Sequence, residues 1–96
     1  MKIYLALLTD SAYGEQSVSV HMTRGGAIKQ LLKWLWEYFN QYFDDESPTN
    51  TEGTELYSKL SSGTLQELQE AVDWFEEMLN RIRDISSNIE TRILVP

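Results

Sequence analysis

The sequence predicts an α+β fold. It reads as a ββααβ chain whose three-stranded antiparallel sheet, in strand order 2-1-3, carries two helices packed on one face. Three observations predict it. Lys2 to Thr9 is apolar on both sides, with Ile3, Leu5 and Leu7 on one and Tyr4, Ala6 and Leu8 on the other, which suits a central strand. Gln16 to Met22 and Ile89 to Val95 alternate with period two and suit the strands beside it. Two long stretches between them carry apolar residues at helical spacing.

Asp10-Ser-Ala-Tyr-Gly14 reads as a turn with Gly14 at positive φ, so the first two strands form a hairpin. In the second strand Val18, Val20 and Met22 are expected to face the core, with Ser17, Ser19 and His21 facing away. Thr23 is a good N-cap, and the first helix is expected over Ala27–Phe43, after the poor helix formers Gly25-Gly26. At about 100° per residue, its polar residues Lys29, Gln30, Lys33, Glu37, Asn40 and Gln41 fall in one arc of roughly 120°. The apolar remainder is wider than the stripe of an ordinary surface helix, so this helix should touch both the sheet and the second helix. Asp44-Asp45-Glu46 and Pro48 end it. Residues 44–63 read as a long acidic loop, with one helical turn near Thr54–Leu60 carrying Leu56, Tyr57 and Leu60 inward. Thr64 and Glu67 form a capping box. The helix they open should run to about Ile85, with Leu65, Leu68, Ala71, Val72, Phe75, Met78, Leu79 and Ile82 inward. The third strand follows Ser86-Ser87-Asn88.

Residues 1–96 make one domain. Three Trp, five Tyr and three Phe supply a core. The absence of cysteine excludes a disulfide framework and thiolate metal sites. A single histidine leaves no multi-histidine metal cluster. Ile3 to Leu8 is too short for the apolar region of a signal peptide, and no run is long enough to span a bilayer. The net charge of -7 comes from the middle of the chain: residues 44–80 hold ten acids and one base, Lys59. A surface of this sign repels nucleic acid and attracts basic partners, so no direct nucleic-acid binding is expected.

Catalytic and ligand motifs are missing, and neither an enzyme nor a cofactor or metal is expected. The loop DDESPTNTEGTE lacks the spacing of a calcium-binding EF-hand. Ser19 and His21 on a strand lack an oxyanion hole and an orienting third group. The Gly25-Gly26 pair matches no phosphate-loop pattern and reads as a close pass of the helix start over the sheet. The sharper candidate is the acidic stripe of the second helix. Glu70, Asp73 and Glu77 lie about one turn, or roughly 5 Å, apart, and Asp44, Asp45 and Glu46 add charge in the loop. Phosphates on one nucleic-acid strand have similar spacing. A second candidate is the outer sheet face, where Tyr4, Ala6, Leu8 and Leu94 would form an apolar patch able to support homodimerisation. Trp34, Trp36 and Trp74, at helix margins, are expected mostly in the core, with one or two half exposed as contact anchors.

The opening KIYLALLTDSAYGEQSVSVHMTRGGAIKQLL resembles the strand–turn–strand–helix start of many small phage and mobile-element proteins. With the short length and acidic middle, the chain resembles small acidic anti-CRISPR inhibitors in style, without a motif to carry over. That resemblance implies a stoichiometric inhibitor occupying a nucleic-acid or guide-RNA surface on a Cas effector. The absence of cysteine fits a reducing cytosol, so a cytoplasmic protein is expected, in the host cell's cytoplasm if phage-encoded. The residues alone lead to a non-enzymatic binding protein with an acidic face for a basic, nucleic-acid-handling partner. The alternative is a structural or regulatory module that homodimerises through the sheet.

Overall fold

β1 (Lys2–Asp10) is the middle strand of an antiparallel sheet of order β2-β1-β3, with β2 (Glu15–His21) and β3 (Ile85–Ile93) at its edges. The chain runs from β2 into α1 (Arg24–Tyr42), then α2 (Pro48–Tyr57), a single 3₁₀ turn at Ser58–Leu60, α3 (Leu65–Asn80) and β3. The structure is a computed structural model and describes residues 1–42 and 48–95. The α+β class and strand order agree with the sequence reading, with one more helix than expected.

Local chemistry accounts for the element starts. Gly14 turns the hairpin at φ 64°. Thr23 Oγ1 accepts from the Gly26 amide at 3.0 Å, so α1 begins at Arg24 and includes the glycine pair. A Cβ at Gly26 would sit 3.3 Å from His21 Nδ1, and glycine permits that close approach of helix to strand. Thr64 and Glu67 form the capping box of α3, at 3.2 Å and 3.1 Å.

The region read as a loop contains a ten-residue helix, α2. Its Gly, Thr and Asn content disguises it, because packing rather than propensity holds it. Gly53 is buried so close to α1 and α3 that a Cβ there would stand 2.7 Å from Phe39 and 3.2 Å from Phe75. Tyr57 stacks on Trp36 at 4.6 Å with 9° between the planes. Phe39 and Phe75 meet edge-on at 5.1 Å in the middle of the helical layer. α1 packs on all three strands and on both other helices, as its broad apolar arc requires.

α3 ends at Asn80, five residues earlier than the apolar spacing suggests. Asn80 Oδ1 accepts from the Ile85 amide at 3.1 Å, and β3 starts there instead of at Ile89. Ile82, expected in the core, is consequently exposed on the turn, and Leu65, in the first turn of α3, is exposed too.

The largest correction concerns which side of the sheet the helices cover. Ala6 and Leu8 are 0% and 2% exposed beneath the helices, and Tyr4 packs against the same core. Val18, Val20 and Met22, expected inside, are 54%, 61% and 61% exposed. Residues directly opposite in antiparallel strands share a face. Ala6 therefore shares the covered face with Ser19 and Ile89, and Leu5 shares the open face with Val20 and Glu90. The two edge strands thus carry their apolar residues on opposite sides, and β1, apolar on both, fits either. The helices follow Ile85 and Ile89 of β3, leaving the valines of β2 uncovered.

Candidate functional site

α3 builds the acidic ridge. Leu68, Ala71, Val72, Phe75 and Leu79 are buried along one side of the helix, which turns Glu70, Asp73 and Glu77 to solvent. Gln66 and Gln69 hold two of these carboxylates through four-residue contacts, Gln66 Nε2 donating to Glu70 at 3.2 Å and Gln69 Nε2 to Asp73 at 3.0 Å. Arg81 pairs with Glu77 at 3.4 Å in an exposed contact worth little stability. Glu76 points instead toward β3 and accepts from the Ser87 amide at 3.3 Å and hydroxyl at 2.6 Å. The ridge therefore consists of three carboxylates restrained by local contacts and facing outward. Asp44, Asp45 and Glu46 lie outside the described residues, so three of the six acidic candidates are placed.

The predicted dimer patch does not form as expected. Ala6 and Leu8 are core residues and Tyr4 is half-buried against them; of the four, Leu94 alone is exposed. The open side of the sheet carries Ile3, Leu5 and Leu7 from β1, half-buried, with Val18 and Val20 from β2. Its charge from β3 is internally matched, Arg92 pairing with Glu90 at 2.9 Å.

Ser19 and His21 hydrogen-bond at 2.6 Å. They lie on the helix-covered face, contrary to the expectation that they face away, and line neither of the two recesses described below. Of the three tryptophans, Trp36 and Trp74 are engaged with other rings, whereas Trp34 stacks on none among the described residues.

The sequence reading missed a buried ion pair. Asp10, assigned to a turn, is 2% exposed, and Arg83 reaches it with Nη2 against Oδ2. Neither Asp10 oxygen has a hydrogen-bond partner of good geometry among the described residues, so the pair is held by charge. Arg83 also donates to the Tyr42 hydroxyl and lies 4.1 Å from the centre of the Tyr13 ring. Burial opposes the guanidinium charge, but the contacts of Arg83 with the Asp10 carboxylate and the Tyr42 hydroxyl outweigh it and hold its pKa above the ordinary value. The nearby Tyr38 phenol is pushed up, first by burial and then by the negative charge of Asp10 and Glu15. A visible signal was the lone acid at the strand end with tyrosines at 13, 38 and 42; the distant Arg83 became its partner only through the early end of α3.

Two open recesses flank the helical layer. One, of about 400 Å³, lies between α3 and β3 and is lined by Asp73, Glu76, Ser87 and Arg24 among others. The other, of about 410 Å³, lies between α1 and the β2 edge and is lined by Glu15, Ser17, Trp34, Glu37, Tyr38, Gln41 and Arg83. Among the described residues no cluster of three metal-ligating side chains occurs, and no helix is long and apolar enough to cross a membrane. No family model matches the chain, and no curated protein or solved structure matches it.

Proposed function

We propose that the chain is a non-catalytic binding protein that presents the α3 ridge to a basic, nucleic-acid-handling protein and occupies its nucleic-acid site. This is the action of an anti-CRISPR-type inhibitor on a Cas effector. The observation that carries the reading is the ridge itself: Glu70, Asp73 and Glu77 exposed on one rigid helix, with Arg81 as the one basic group paired to it among the described residues. Carboxylates at roughly one-turn spacing offer a basic groove a charge pattern like that of a phosphate backbone. The test is capture of partners from the source cell by wild-type chain and by Glu70→Lys/Asp73→Lys/Glu77→Lys. The reading expects basic nucleic-acid effectors with the wild type and loss of them with the variant; equal capture by both would sink it.

A second reading is favoured by the uncovered valines of β2. Here the chain is an interaction module that homodimerises through the open sheet face, with Leu5, Leu7, Val18 and Val20 in place of the patch first expected. Its association would be apolar and insensitive to salt. Sedimentation equilibrium decides it: a dimer that Val18→Asp converts to monomer supports the reading, and a wild-type monomer at high concentration removes it.

A further inference from the structure

The recess between α1 and the β2 edge is built differently from the acidic ridge and shares none of the three ridge carboxylates of α3. Three features meet there. The Trp34 ring, half-buried, stacks on no other ring among the described residues. Glu15 and Glu37, both exposed, line the same space and have neither a hydrogen-bond nor an ion-pair partner among the described residues. The one cation in the lining, Arg83, is already neutralised by Asp10 behind it and held against Tyr13. The lining therefore has an excess of negative charge beside an aromatic face. An anion would meet Glu15 and Glu37 unscreened. An apolar group would leave them desolvated without partners, which is costly. A planar cation satisfies both, because a guanidinium stacks on an indole face while its edge donates to carboxylates.

We propose that this recess is a docking site for the side chain of an arginine on a protein partner, with Trp34 as the stacking platform and Glu15 and Glu37 as acceptors. The volume of about 410 Å³ admits one such side chain with water around it. The site is separate from the α3 ridge and stands or falls without it.

The experiment uses the full ¹⁵N-labelled chain and N-acetyl-arginine methylamide as probe. The indole N–H resonance of Trp34 is assigned with Trp34→Phe. The proposal expects this resonance to shift saturably, with a dissociation constant on the order of millimolar for a single side chain. It expects roughly fivefold or weaker binding in Glu15→Gln/Glu37→Gln, where two charge-assisted acceptors become neutral. It expects unchanged binding in Glu70→Gln/Asp73→Asn/Glu77→Gln. The absence of a saturable shift would overturn it, as would equal affinity for N-acetyl-norleucine methylamide. Tighter binding of N-acetyl-glutamate methylamide would also overturn it, by making Arg83 the recognising group.

Discussion

Asp10 and Arg83 show how much a single pair decides here. Their contact ties the end of β1 to the turn before β3, with Tyr42 of α1 as a further partner. Removing the cation leaves a carboxylate that is 2% exposed without compensation. Arg83→Met should lower the melting midpoint by about 10 °C or more, measured by circular dichroism, since breaking one side of a buried pair is costly. Asp10→Asn/Arg83→Met should recover part of the loss, because no isolated charge remains. Gly53 makes an opposite kind of demand, for space. Gly53→Ala offers α2 up to about 1 kcal/mol of helix propensity. The added Cβ would stand 2.7 Å from Phe39, and both rings it meets are packed in the core. Overpacking of this sort costs about 1–3 kcal/mol, so chemical denaturation should show a net destabilisation.

The elements differ in how far they could be read from residues alone. β1, the hairpin, α1 and the capped start of α3 were legible because each has a local signal: two-sided apolarity, Gly14, the broad arc, and Thr64 with Glu67. The ends of α3 and β3 were not, since Ile82 and Ile85 continue the helical spacing past the point where Asn80 and Arg83 redirect the chain. α2 was hidden because its stability comes from Gly53 and Tyr57 meeting distant rings. The sheet faces were misread for a more instructive reason. β2 and β3 give contradictory instructions about which side is inner, and only the helices resolve them. Such conflicts between local pattern and global fold are expected where a surface has a second use. At the start of α3, the Thr64 amide, first, and then Lys59 hold the Glu67 carboxyl below its ordinary 4.5. A depressed folded-state pKa gives stability that is fully present above the ordinary value and lost as pH falls through the lower one. Acid unfolding should therefore lose part of its pH dependence in Glu67→Gln. Thr64→Ala should cost about 1 kcal/mol through the lost cap.

At the scale of the whole molecule the protein is a thin slab, 51 × 33 × 15 Å, made of one sheet and one helical layer. That shape leaves the layers' outer surfaces free for different uses. The α3 ridge is acidic, the open sheet face is apolar with its β3 charges paired, and the α1–β2 recess combines two glutamates with an indole that stacks on no ring among the described residues. The ridge was legible because its charges are written in the sequence at helical spacing. The recess was not, because Glu15 and Arg83 reach Trp34 only through the fold. The central claim is that the ridge stands in for nucleic acid. Its most direct test is a competition measurement on the captured partner, with the partner's own nucleic acid labelled and followed by fluorescence anisotropy. The account predicts that the wild-type chain displaces the nucleic acid, more weakly as salt rises, and that Glu70→Lys/Asp73→Lys/Glu77→Lys does not. A ternary complex of chain, partner and nucleic acid at saturation of both would contradict it.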